Sequence, residues 1–173
     1  GAKKANVPDF DLIVFVNNSG EIFNPDPKCN LLAKHIAAGK GIVGIHAALA
    51  AFLCGQDASG ETIMHPTTPV FENIFKTHFR NHPPVQEGQV SLDTTVAKLL
   101  GLSTSVPERF AHTDEFFNFT YNPCVDPTVQ VLAYVDEASY NGGLMGEKHP
   151  LVRNIWVFKL YFVFYIMYCC IVL

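Results

Sequence analysis

Three histidines carry the most chemical reach in this chain, each in a stiffened setting. His46 follows Gly41-Ile42-Val43-Gly44-Ile45 and precedes Ala47-Ala48. Small residues around one functional side chain, where a buried strand hands over to a turn or helix, have the outline of a nucleophile elbow. An imidazole stands in the nucleophile's position. It titrates near pH ~6.5 when unperturbed, so His46 can act as a general acid or base. His82 precedes Pro83-Pro84 and His149 precedes Pro150, and proline restricts the residue before it and fixes where its ring points. Asp114 and Glu115 sit together among Phe110, Phe116, Phe117 and Phe119. In an extended segment neighbouring side chains face opposite ways, so only one acid can join His46. Asp114 is expected to bond an imidazole and Glu115 to face a ligand. A satisfied structural histidine and a solvated acidic turn are the competing readings. His46, His82, His149 and one carboxylate could also hold zinc, but their spacing is too wide to form a motif, and no residue is assigned as a metal ligand.

The elements that position these residues follow from patterning. Phe10 to Val16 is a β-branched and aromatic run ending in the turn formers Asn17-Asn18-Ser19-Gly20. Asn24-Pro25-Asp26-Pro27 opens a helix whose Leu31, Leu32, His35 and Ile36 share a face. Gly39 and Gly41 let the chain leave that helix and enter the Ile42–Ile45 strand. Strand, helix and strand in so short a span imply a parallel crossover. They predict an α/β fold with a mostly parallel sheet and a site at the strands' C-terminal ends. From Leu49 to Phe75 the chain reads as a helix start, a polar loop at Gly55–Gly60 and a short helix through Phe71–Phe75. Gln89–Leu92 and Thr128–Val135 read as strands and Val96–Leu102 as a helical turn. Tyr140–Gly143 is read as a tight turn and Gly146–Pro150 as a loop.

Composition narrows the partners. A chain of 173 residues, 49% hydrophobic, with net charge -4, suits one globular domain. Without a basic stripe, nucleic acid is not expected as a partner. Five scattered cysteines have neither disulfide nor metal spacing, which fits reduced thiols and a cytoplasmic compartment. Residues 1–8 are polar and expected to fray. No cofactor and no oligomeric state can be read from the sequence.

The motifs Gly44-Ile45-His46-Ala47-Ala48, His82-Pro83-Pro84-Val85-Gln86, Thr113-Asp114-Glu115-Phe116-Phe117-Asn118-Phe119 and Asp136-Glu137-Ala138-Ser139-Tyr140 follow one another, then Gly143, Met145-Gly146 and His149-Pro150. In this order they resemble the ThuA-like (trehalose utilisation) family over residues 9–152. The resemblance implies a flavodoxin-like three-layer sandwich, similar to the class I glutamine amidotransferases, with His46 in place of their elbow cysteine. It also implies a small carbohydrate as ligand. Under that implication His46, Asp114 and Glu115 are the catalytic candidates, and Asn17, Asn18, Ser19, His82, Gln86, Tyr140 and His149 are the sugar-binding ones. A non-catalytic sugar-binding module, a metal-dependent hydrolase and an inactive membrane-tethered fragment are the alternatives.

Against the family pattern the domain is expected to be incomplete at both ends, lacking an opening strand–helix unit and a closing strand. Residues 153–173 read as a foreign hydrophobic tail. Ile155 to Leu173 carry one charge, Lys159, over a length that could span a membrane. The same residues would also suit a β-rich or helical hydrophobic end docked on the domain.

Overall fold

The computed structural model describes residues 10–20, 25–51, 53–59, 62–64, 68–99, 107–151, 156–159 and 162–165. The first strand, β1 (Leu12–Val16), is built from branched and aromatic residues. Ile13 and Phe15 pack towards the core, while Leu12, Val14 and Val16 stay exposed. Helix α1 (Pro25–Ala37) opens on a proline, whose missing N–H had no partner in the first turn. It buries Leu32 and His35, and the His35 Nε2–H donates to the Gly41 carbonyl (3.0 Å), pinning the helix end to the next strand. Gly39 at φ +75 makes the reversal between them. Strand β2 (Gly41–Ile45) then pairs in parallel with β1, Val16 beside Ile45. The predicted strand–helix–strand unit is therefore present. A further bond from the Asn17 N–H to the Ile45 carbonyl (2.9 Å) carries the ladder past the strand end.

The chain after β2 departs from expectation. His46–Ala50 forms a tight 3-10 turn, and a hairpin of β3 (Leu53–Gln56) and β4 (Thr62–Met64) follows where a helix and loop were expected. The alanine run favours helix by propensity. Ala48, Leu49, Ala50 and Ala51 are instead wholly buried, and burial of the run outweighs a propensity worth tenths of a kcal/mol per residue. Next come α2 (Thr68–Phe75), β5 (Phe79–Asn81), β6 (Gln86–Leu92), α3 (Thr94–Leu99), β7 (Arg109–Asp114) and β8 (Asn118–Phe119). They are followed by β9 (Val129–Val131), β10 (Ala133–Asp136), β11 (His149–Pro150), β12 (Trp156–Lys159) and β13 (Phe162–Tyr165). The strand expected over Thr128–Val135 is thus split at Leu132.

The sheets overturn the expectation of a mostly parallel arrangement. Among the described strands only β1–β2 and β9–β13 pair in parallel, with one isolated parallel bridge between Gly20 and Ala51. The four-stranded sheet, in the order β11-β10-β6-β7, is antiparallel throughout. A parallel neighbour needs a crossover long enough to return the chain along the sheet. Helix α1 spans 13 residues, whereas α2 has 8 and α3 has 6. The architecture is mixed α/β with few helices.

Two cores lie side by side. One gathers Leu32, Ile42, Leu49, Ile74, Phe75, Phe117 and Phe119; the other gathers Val90, Phe116, Val135, Tyr140 and Leu151. Consecutive Phe116 and Phe117 thus enter different cores, which fixes the irregular link between β7 and β8. Of the hydrophobic tail, β12 and β13 pair with each other and β13 pairs with β9. Residues 152–155, 160–161 and 166–173 lie outside the described residues, as do residues 1–9. Among the described residues no helix is long and apolar enough to cross a membrane.

Candidate functional site

The ends of β1 and β2 place Asn17 and His46 side by side. Both adopt left-handed backbone conformations, φ +50 for Asn17 and φ +51 for His46. Such a φ costs roughly 1 kcal/mol for a residue with a side chain, so a strand end that retains a histidine there stores strain. Gly44 is required just before it, because a Cβ would lie 2.8 Å from the Phe75 ring. The His46 Nδ1 lies 2.7 Å from the Asn17 amide oxygen. That oxygen can only accept, so Nδ1 carries the proton and Nε2 is the basic nitrogen of the neutral ring.

Two further segments converge on His46. The loop after β7 brings Glu115, whose Oε2 is 3.8 Å from the His46 Nε2. The His82-Pro83-Pro84 loop after β5 brings His82, whose Nε2 is 3.9 Å from the same carboxylate oxygen. Below them lies Phe117, its ring centroid 5.1 Å from that of His46 and 5.9 Å from that of His82, with Phe79 packed edge-on at 4.7 Å. Side-chain exposures are 23% for His46, 34% for Glu115 and 38% for His82, but the His46 Nε2 atom itself is buried.

The other predicted residues fall into different places. Asp114 is buried; its Oδ1 accepts from the Glu115 N–H (2.7 Å) and its Oδ2 stands 3.5 Å from the His112 Nε2. The acid between His46 and His82 is Glu115. The buried side-chain oxygen of Asn18 has no hydrogen-bond partner among the described residues, and Ser19 is exposed. Gln86 donates to the Asn141 carbonyl (2.9 Å) and accepts from the Asn141 N–H (2.9 Å), tying the His82 loop to the Tyr140–Gly143 turn. Asn118, 1% exposed, supports the same turn through the Gly142 carbonyl and the Leu144 N–H.

His149 and Tyr140 lie inside the protein. His149 is 1% exposed; its Nε2–H donates to the Phe117 carbonyl (2.9 Å), and its Nδ1 lies 2.8 Å from the Tyr140 hydroxyl and 2.7 Å from Glu137 Oε1. Burial pushes the His149 imidazole below its usual range, and the Phe117 carbonyl and Glu137 carboxylate push back upward. Burial, with Glu137 nearby, raises the Tyr140 phenol. Glu137 was not singled out from the sequence, although it carries much of this network. It also accepts from the Met145 N–H (2.7 Å) and the Gly146 N–H (3.0 Å). A signal was available in the glycines that follow it. A Cβ on Gly143 would come 2.5 Å from the Glu137 carboxyl carbon, so glycine is needed for that carboxylate to pass. With both ring nitrogens of His149 engaged, it does not join His46 and His82, and among the described residues no three His, Cys, Asp or Glu side chains are gathered as a metal ion would require.

An α/β chain with a histidine at a strained strand end and a carboxylate beside it now has a family. The model of the ThuA family, described as trehalose utilisation, matches residues 2–166, and the chain belongs to that family. The match extends past both boundaries, residues 9 and 152, that the motifs alone mark out. The fold is similar to that of a ThuA-like protein from Bacteroides uniformis, with a TM-score of 0.59 and 21% identity, over 83% of this chain and 55% of that one. The chain therefore spans about half the length of that relative. No curated protein matches the chain.

Proposed function

We propose that this chain binds a small carbohydrate at the surface cluster of His46, Glu115 and His82, with His46 and Glu115 acting on a sugar hydroxyl. The observation that carries the reading is the spacing. Glu115 Oε2 is 3.8 Å from one imidazole Nε2 and 3.9 Å from the other. These gaps are too long for direct hydrogen bonds, and a hydroxyl seated over one side of the pair can contact both groups. The Asn17 amide holds the proton on Nδ1 of His46, so Nε2 is the basic nitrogen; it is buried in the free protein, and a ligand must part the side chains over it before a hydroxyl can pass it a proton. Glu115 accepts a neighbouring hydroxyl and favours the imidazolium formed in the step. His82 orients the ring from the other side. The family's trehalose-utilisation description supports a disaccharide or its parts as ligand. On the same footing we take the family's architecture to be flavodoxin-like, related to the glutamine amidotransferases, with His46 where their cysteine stands.

The test is calorimetric titration of the full chain with trehalose, sucrose, maltose and glucose, beside His46→Ala and Glu115→Gln. Binding of one sugar, weakened about tenfold by either substitution, is expected, since a hydrogen bond to a charged group is worth about 1.5–3 kcal/mol. No binding of any sugar overturns the reading. Product formed over time by the wild type alone separates an enzyme from a binding module.

A further inference from the structure

We propose that Glu137, His149 and Tyr140 form a buried positioning device for the His46 cluster, acting through the Phe117 carbonyl. This rests on the reading of His46, Glu115 and His82 as the functional group. Residues 115–117 belong to no strand, so the Phe117 side chain is held by the core while its carbonyl lies outside the ladders on either side. Its carbonyl is held by the His149 Nε2–H at 2.9 Å. His149 is in turn held at Nδ1, by the Tyr140 hydroxyl and Glu137 Oε1. The Phe117 carbonyl accepts only, so Nε2 keeps its proton in every state of the ring. In the charged ring Nδ1–H donates to Glu137 Oε1 at 2.7 Å; in the neutral ring Nδ1 can only accept, from the Tyr140 hydroxyl, and the contact with the carboxylate oxygen has to open. Either state therefore leaves the tie to Phe117 intact.

The tie matters because of what Phe117 touches. Its ring lies under both surface imidazoles, and Glu115 is two residues before it. A rotation of the Phe117 peptide moves the floor of the site and the carboxylate together. Glu137 also clamps the Met145–Gly146 backbone, and its passage requires Gly143. The far end of the chain thereby sets the geometry of a site built mainly by its first half. None of the three residues reaches the cluster directly, so they are positioning residues and not catalytic ones.

The measurement is the histidine ring resonances in a proton–carbon correlation spectrum. Phe117→Leu removes the ring and defines the full displacement of the His46 and His82 signals. Glu137→Gln keeps shape and one acceptor while weakening the grip on His149. It is expected to move the His46 and His82 signals part of the way towards the Phe117→Leu positions, in the same direction for both. Gly143→Ala, which pushes the Glu137 carboxylate aside, is expected to do the same and serves if Glu137→Gln does not fold. Movement of the His149 signal with His46 and His82 unmoved overturns the positioning role. Silence of both surface histidines in Phe117→Leu overturns the contact itself, and the site reading with it. Sugar binding lost without movement of these signals also overturns positioning by this route. Failure of every sugar to bind sinks the functional proposal while leaving the spectral prediction standing.

Discussion

Two histidine–carboxylate groups meet at Phe117, and they are built in opposite ways. His46 and His82 flank Glu115 at 3.8 and 3.9 Å with all three side chains reaching solvent. His149 meets Glu137 at 2.7 Å with the ring 1% exposed. The same residue types therefore serve different ends. A close, desolvated pair has its hydrogen-bonding capacity committed to the protein, and removing one member leaves the other buried and unmatched. A loose, wetted pair contributes little to stability because water screens it, and its geometry leaves room for another molecule. Histidine and acid content alone cannot tell the two apart; distance and burial do.

The comparison can be broken most directly by truncation. His149→Ala is expected to cost about 3 kcal/mol of folding stability, in line with a disrupted buried pair. Glu115→Ala is expected to stay within about 0.5 kcal/mol of wild type, once screening is allowed for. Urea denaturation of both variants reads the contrast, and equal losses would erase it. A sharper version uses the strain at position 46. His46→Gly and His46→Ala should both weaken sugar binding about tenfold, but glycine relieves the left-handed φ that alanine retains. The glycine variant is therefore expected to be more stable than the alanine variant by about 1 kcal/mol. Equal stability would show that the backbone at residue 46 relaxes when the imidazole is removed.

How much of this arrangement is legible in the sequence depends on its range. The β1–α1–β2 unit is written locally, in an apolar run, a proline at the helix start and Gly39 at its end. Asn17 and His46 were identifiable for that reason, as residues at the ends of two adjacent strands. The β3–β4 hairpin was not, because Leu53-Cys54-Gly55-Gln56 has neither alternation nor a strong turn signal, and the preceding alanines favour helix. The antiparallel sheet depends on helix lengths and pairings between distant segments, which no local pattern states. That Asp114 and Glu115 face opposite ways is legible in an extended segment; that Asp114 meets the His112 ring and Glu115 the His46 ring is set by tertiary packing. His149 looked like a surface ligand because a proline follows it. Its burial is set by partners 9, 12 and 32 residues away along the chain.

Gln86 joins the two regions, so it tests whether they are coupled. Its amide exchanges two hydrogen bonds with the Asn141 backbone, across 55 residues of sequence. Gln86→Leu is expected to cost about 1 kcal/mol, since partly exposed hydrogen bonds are worth roughly that much in net terms. If the regions are coupled, it should also weaken sugar binding, because the His82 loop loses its tether to the Tyr140 turn. A stability loss with unchanged binding would mean that the proline pair alone holds that loop.

The gentlest contrast is in pH. The folded protein holds His149 below its ordinary value of 6.5, chiefly by burial. The unfolded chain therefore binds more protons than the native one below that pH. By linkage, stability is fully present above about 6.5 and declines as pH falls through the folded value. Tyr140 behaves with the opposite sign. Burial raises its phenol above the ordinary 10.0, so the native state keeps a proton that the unfolded chain gives up. That contribution is present below about 10 and is lost as pH rises further. Burial adds to the alkaline decline by pushing the Cys124 thiol up to about 11 and the Tyr134 phenol up to about 12. Denaturation midpoints measured across pH should fall away on both sides of a plateau. His149→Gln should flatten the acid side and Tyr140→Phe should soften the alkaline one. An acid side that persists unchanged in His149→Gln would assign the slope to other groups and remove His149 as its source.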